Sequence, residues 1–368
     1  MPINEVKEKA FGLFTKLPMP SERDEPWRYT DISRLKLEEL EKRAGNVSLL
    51  NGSKNVIFCD IKTALEKHPE LLKHCFAIDA TDKISAMQLA LWENGAFAYV
   101  PEGAEASLKA VFGIGSYYNI IVAETGSRLD YMERFSGNAN ALNTSVTEVF
   151  AKENSEVNFC SIQDFSGNVY DFSSKRGVAE AGASINWVMG IFGGKLSRTL
   201  VETVLAGNGS KSDNLSVYLG NGNQHIDITT NAYHKANSTK NNMLSKGILK
   251  GSSSSVYRGL IKIEPTAKQT DTYLSSHSLV LGDRASSNPI PKLEIENNDI
   301  IRAGHGASVG HIDEDKLFYM MSRGLSREQA EELIISGFFD PALITISVKE
   351  VREELQKIIA EMINNENA

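Results

Sequence analysis

Cysteine is scarce in this chain. Only Cys59, Cys75 and Cys160 occur among 368 residues, widely spaced and with no Cys-x-x-Cys pair. An odd, scattered set of this kind offers neither a disulfide framework nor a structural zinc site. It suits a reducing compartment. Long apolar runs are missing as well, since no stretch approaches the roughly 18 residues that a membrane helix needs. Met1 to Leu17 intersperses charges among its apolar residues. It has no apolar h-region or small-residue cleavage site, so it does not read as an export signal, and the expected location is cytoplasmic. Basic excess is also lacking. There are 47 acidic against 39 basic residues, a net charge of -8, which argues against general binding to a phosphate backbone.

Catalytic signatures are absent too. There is no Gly-x-Ser-x-Gly, no Gly-x-x-x-x-Gly-Lys-Ser/Thr and no dinucleotide-binding glycine fingerprint. Gly193-Gly194-Lys195 sits inside an alternating run and reads as a bulge or turn rather than a phosphate cradle. The expectation is a non-catalytic protein.

What is present falls into three zones. Residues 1–100 read as mixed and mostly helical. Val6, Ala10, Phe11, Leu13, Phe14 and Leu17 form one stripe, ended by Pro18. Ile61, Ala64, Leu65, His68, Leu71, Leu72 and Cys75 form a second. Between them, Glu25-Pro26-Trp27-Arg28-Tyr29-Thr30-Asp31 reads as a loop or short strand whose aromatics pack on the neighbouring domain.

From 101 to 310 helical stripes vanish. Val157–Ile162, Ser216–Leu219, His225–Thr230, Ser255–Ile263 and Thr272–Leu281 alternate apolar with polar residues, as strands do. Clusters such as Gly207-Asn208-Gly209-Ser210 and Gly251-Ser252-Ser253-Ser254 supply turns. The zone is all-β. A large sandwich and a stacked parallel β-helix fit the pattern about equally, and no strict repeat is visible.

From 311 to 368 helices return. Asp313 opens one that Gly324 closes. Ser326-Arg327-Glu328-Gln329 and Ser347-Val348-Lys349-Glu350 both read as capping boxes.

Candidate metal-binding groups are few. His68, His74, His225, His234 and His277 stand apart from one another, and structural roles fit them best. His305, between two glycines, and His311 lie at the junction of the β zone and the C-terminal helices. Imidazole is a common metal ligand, but a lone histidine is usually structural. The three cysteines read as core residues.

Larger blocks are more telling. Leu293-Glu294-Ile295-Glu296-Asn297-Asn298-Asp299 leads into His305-Gly306-Ala307-Ser308-Val309-Gly310. Leu317-Phe318-Tyr319-Met320-Met321-Ser322-Arg323-Gly324-Leu325 follows, and then Ile334-Ile335-Ser336-Gly337-Phe338. This order, over roughly residues 130–340, resembles the SufB/SufD family of iron–sulfur cluster assembly scaffolds. Trp27-Arg28-Tyr29-Thr30-Asp31 is similar to a motif of SufD-type members.

The resemblance implies a mainly β fold: a right-handed parallel β-helix core flanked by an N-terminal α/β-mixed domain and a C-terminal helical domain. It implies a SufC-type ABC ATPase as partner, a homo- or heterodimer with a SufB/SufD-type subunit, and an iron–sulfur cluster formed transiently at the subunit interface. It leaves open whether a flavin joins, while the acidic net charge and the lack of a long apolar run argue against nucleic-acid and membrane partners. His305 matches the histidine implicated in assembly. The docking surface for the ATPase would draw on Leu317, Phe318, Tyr319, Arg323, Leu333, Ile334, Phe338 and Phe339, with the last two as anchors. The chain departs from the pattern at Ala285 and Ala303, where family members carry cysteine, and at Gly306, where SufB-type members carry glutamate. The usual thiolate ligands are therefore missing, which points to the SufD side or to a divergent single-type scaffold that self-pairs. A β-helix carbohydrate enzyme and a plain interaction module are the alternatives.

Overall fold

Alternation of apolar and polar side chains turns one face of each strand toward a shared interior. In the computed structural model, which describes residues 3–41, 43–52, 55–72, 75 and 78–364, those strands stack as a parallel β-solenoid. His74 lies outside the described residues. Chain order begins with α1 (Ile3–Lys16), β1 (Val47–Leu50), β2 (Ile57–Asp60), α2 (Ile61–Lys67), α3 (Lys83–Leu91) and β3 (Ala96–Val100). There follow β4 (Glu105–Phe112), β5 (Ser116–Ala123), β6 (Arg128–Asn138), β7 (Leu142–Ala151), β8 (Glu156–Ser166) and β9 (Tyr170–Ala179). Next are β10 (Ser184–Gly193), β11 (Leu196–Leu205), β12 (Lys211–Gly220), β13 (His225–His234) and β14 (Lys240–Leu249). The solenoid ends with β15 (Ser254–Ile263), β16 (Thr270–Val280), β17 (Ser286–Ile295) and β18 (Ile300–His311). Helices α4 (Glu314–Ser322), α5 (Arg327–Leu343) and α6 (Lys349–Asn364) complete the chain.

Among the described residues the strands form two nine-stranded sheets. One runs β1-β4-β6-β8-β10-β12-β14-β16-β18 and the other β17-β15-β13-β11-β9-β7-β5-β3-β2. Each rung contributes one strand to each sheet. No letter pattern in the sequence reveals the rung length, because the turns repeat a conformation and not a residue. Positive φ recurs at Gly126, Asn154, Gly182, Gly209 and Ser238, every 27–29 residues. Glycine, asparagine and serine fill one left-handed slot in turn. Gly193 and Gly194, at φ 86 and 74, are indeed a turn.

The interior changes character along the axis. Its early rungs are aromatic, with Tyr131 stacked on Phe159 at 5.4 Å and Phe159 against Trp187 at 4.9 Å. Beside them lies a buried ion pair, Lys175 Nζ to Glu133 Oε1 at 2.8 Å, with side chains 1% and 0% exposed. Ser161 also donates to Glu133 Oε1 at 2.8 Å. Nearby, burial raises the Asp171 carboxyl to about 6, against the opposing pull of the Asn143 hydrogen bond and the Lys175 charge. A carboxyl whose folded pKa lies above its unfolded value contributes most below the ordinary carboxylate range. That contribution is lost as pH rises through about 6. Asp171→Asn is therefore expected to stabilise the chain at pH 8, by about 1–3 kcal/mol, and to do little at pH 4. Urea denaturation at the two pH values measures this.

Helices cover both outer faces. α5 and α6 lie over the β4–β18 sheet, where Ile335, Phe339, Leu355 and Ile359 pack on Met132, Cys160, Leu215 and Val217. Gly190 allows this approach, since a Cβ there would stand 2.6 Å from Leu355 Cδ2. Glu354 of α6 pairs with Arg134 at 2.7 Å and Lys109 at 3.3 Å.

The opposite sheet is covered by the N-terminal elements. The second stripe of that zone is not one helix. α2 stops at Lys67 and Pro69–Leu72 is a 3₁₀ turn, because Pro69 lacks an N–H and crowds the preceding turn. Within residues 25–31, Glu25–Trp27 is a 3₁₀ turn with Pro26 in its first turn, and residues 28–31 are loop as expected. Trp27 is buried against Phe172 and under Arg198, whereas Tyr29 is exposed. The Ser326–Gln329 capping box forms as read. The second box does not. α6 begins at Lys349, so Val348 holds the position before the first helical residue and Ser347 lies one residue too early to cap.

Candidate functional site at the open end of the solenoid

The two ends of the solenoid differ. At the N-terminal end, β1 and β2 are only four residues long and pair antiparallel, closing both sheets with short strands. At the C-terminal end, β17 and β18 are long, and each pairs on one side only. Their outer edges present unpaired backbone groups, and exposed Ile295, Ile301 and Val309 lie there.

Register places His305 in this opening. Leu108, Tyr131, Phe159, Trp187, Asn214, Met243, Leu274 and His305 occupy one column, rung after rung. The members up to Leu274 are buried, and His305 is exposed only because no further rung covers it. The flanking glycines face the other way. A Cβ at Gly304 would come within 3.2 Å of the Tyr273 ring, and one at Gly306 within 3.0 Å of its hydroxyl. The Tyr273 ring thus lies across both glycines on the outer face, with Arg302 over it at 5.4 Å.

No group of three or more His, Cys, Asp or Glu positioned for a metal ion occurs among the described residues. The thiols are poor candidates. Burial pushes Cys75 up to about 12 and Cys160 further still, and it raises Cys59. Cys160 is a core residue, but of the layer beneath α6 and not of the interior.

The other histidines are scattered. His234 is buried, bonded to Thr239 at 2.8 Å, and depressed by burial to about 4. His277 bonds Ser308 at 2.7 Å, His311 is exposed at the end of β18, and His68 lies 3.9 Å from Glu70. His225 belongs to a constellation that sequence reading missed. Asp227, 0% exposed, accepts from Thr30 at 2.6 Å, from Arg258 at 2.5 Å and from Arg198, with His225 3.1 Å from the same Thr30 hydroxyl. Arg258 also donates to the Arg28 carbonyl and Arg198 to that of Pro26 at 2.8 Å. The spacing of Arg198, Asp227 and Arg258 by about one rung each was the available signal, legible only with the rung length known.

The C-terminal helices present a second surface. Phe318 is 73% exposed, and Tyr319, Arg323 and Leu333 are exposed too. Ile334 and Phe338 are half-buried. Leu317 and Phe339 are each 1% exposed, so the expected anchoring role of Phe339 is corrected: it packs in the chain's own core with Ile335 and Leu343. Phe338 is partly engaged as well, its ring under Lys246 at 4.7 Å.

Comparison with known proteins bears directly on this architecture. A family profile described as "SUF system FeS cluster assembly, SufBD core domain" matches residues 112–338. The chain belongs to the SufB/SufD family. Iron–sulfur cluster assembly SufBD family proteins of Staphylococcus saprophyticus and Staphylococcus aureus (strain USA300) are each 33% identical to it over 302 residues. The matched region is 78% of this chain and 65% of each relative, so just under two thirds of their length is spanned. Within this SufB/SufD-family chain, Ala303 and Ala285 pack half-buried against the interior core near the opening. No helix among the described residues is long and apolar enough to cross a membrane.

Proposed function

We propose that this chain is a non-catalytic scaffold subunit in iron–sulfur cluster assembly, whose open last rung joins a second SufB/SufD-type subunit. The observation that carries the reading is His305, turned toward the interior at the one solenoid end that lacks a short closing strand. Unpaired long strands with exposed apolar side chains are templates for pairing with another chain. Such a joint would surround His305 with groups from both subunits. That suits a cluster held jointly, because this chain supplies an imidazole there and no low-pKa thiol. The cluster is the cargo.

α4 and α5 would engage a SufC-type ABC ATPase through Phe318, Tyr319, Arg323 and Leu333, which are free to be covered. Glu354 and its two cationic partners link α6 to the rungs of β4 and β6. Motion of the ATPase would thus reach the solenoid through α6.

Anaerobic reconstitution with iron and sulfide tests the cluster role. His305→Ala is expected to leave the melting temperature unchanged, since the side chain is exposed. It is expected to lower the iron bound by the subunit pair several-fold. Equal iron loading of variant and wild-type pairs would sink the assignment. For docking, Leu333→Asp is expected to weaken ATPase binding by about 2 kcal/mol, roughly thirtyfold, in a co-purification or titration assay.

A further inference from the structure

α5 and α6 do not seal against the solenoid along their whole length. Between the β4–β14 outer face and the α5–α6 corner lies a cavity of about 450 Å³. That volume is within the roughly 300–1,000 Å³ of small-molecule sites. Its floor consists of two parallel rows, set by the register of the rungs. One is polar: Asp130, Asn158, Asn186, Asp213 and Asn242 follow one another across adjacent strands. The other, two residues further along each strand, is Met132, Cys160, Val188, Leu215 and Leu244. Ile346 and Val348 of the α5–α6 connection and Val351 of α6 supply an apolar wall.

The polar row uses its donors internally. Asn158 donates to Asp130 at 2.8 Å, Asn186 to Asn158 at 2.9 Å and Asn242 to Asp213 at 3.1 Å. What remains for a ligand is acceptor oxygen on Asp130, Asp213 and Glu350, since Glu156 already pairs with Arg128 at 3.6 Å and Asn242 already accepts from Arg302 at 3.3 Å. Lys109, the lysine of the lining, is already held by Glu354 at 3.3 Å.

We propose that this cavity binds a linear aliphatic polycation of the polyamine class. The chain lies along the groove between the two rows, its ammonium groups turned to the oxygens of the Asp130–Asp213 row and its methylenes against the Met132–Leu244 row. Spacing favours this occupant. A carboxylate or amide oxygen stands on each rung, about 4.8 Å apart and close to the span of an aminopropyl unit, with the carboxylates of Asp130 and Asp213 three rungs apart. Same-face side chains of an extended peptide recur only every two residues, about 6.7 Å, out of step with the rungs. A bare divalent cation would meet the carboxylates but leave the apolar row uncovered. The bound molecule would bridge the α5–α6 corner and the rungs beneath it. This site does not depend on the cluster-assembly role.

Calorimetric titration of the full chain with spermidine, at about 0.15 M salt so that surface attraction is screened, tests the site. Saturable one-to-one binding is expected. The Asp130→Asn/Asp213→Asn variant should bind about tenfold more weakly or worse, and Val188→Phe should block binding with every carboxylate intact. Circular dichroism verifies the fold of both variants. Magnesium chloride titrated into the wild type should give no comparable heat and should not displace spermidine. The proposal is overturned if spermidine gives no saturable heat, if magnesium competes with it, or if both folded variants bind as the wild type does.

Discussion

Lys175→Met is expected to destabilise the chain by about 3–5 kcal/mol, because it strands the Glu133 carboxylate in a dry interior. Lys175 is the cation within hydrogen-bond reach of Glu133, and Ser161 and Asn119 are neutral donors that cannot replace its charge. Methionine matches the lysine stem in length and keeps contact with Phe135 and Phe159, over which the ammonium now lies at 5.8 and 5.7 Å. The loss is therefore electrostatic rather than a packing defect. The double variant Glu133→Gln/Lys175→Met tests that cause. It leaves neither member of the pair charged and should recover most of the loss, since a buried ion pair is worth little net of its own desolvation. Urea midpoints for the wild type, Lys175→Met, Glu133→Gln and the double variant measure the cycle. If the double variant is no more stable than Lys175→Met, charge burial is not the cause.

Asp227→Ala should have a comparable effect by a different route. It leaves Arg198 and Arg258 together without their shared carboxylate and removes the acceptor for Thr30. About 3–5 kcal/mol is expected to be lost. The segment around Trp27, Arg28 and Thr30 should also detach from the β11–β15 face first, since two of its carbonyls are bound by the same arginines. Limited proteolysis reads this directly, as cleavage after Arg23 or Arg28 at protease levels that leave the wild type intact. His225 adds a pH dependence. Burial holds its imidazole below the ordinary value, with Asp227 pulling the other way. Its contribution is present above the ordinary imidazole range and fades as pH falls below it. Loss of Asp227 removes the opposing attraction, so the variant should be more acid-sensitive than the wild type.

Much of the fold was legible locally. Alternation marked β8, β12, β13, β15 and β16, and the Ser326–Gln329 box marked the start of α5. The family blocks carried the choice of a solenoid over a sandwich. Individual burial was less legible. Phe318 and Phe339 are similar in sequence, yet one is exposed and the other is core. Helix α5 turns one face to the solenoid, and only the docking angle selects that face.

The sequence alone determined most element types and the family, because these depend on spacings within a few residues or on whole blocks. Tertiary structure decided what each chemical group faces. One residue of register separates His305 toward the interior from His305 on the outer surface, and the same stacking brings Asp227 beside two arginines and Glu133 beside Lys175. Those partners stand about one to two rungs apart in the chain. Their meeting depends on backbone pairing and on left-handed turns that several residue types satisfy, so no short-range pattern records it.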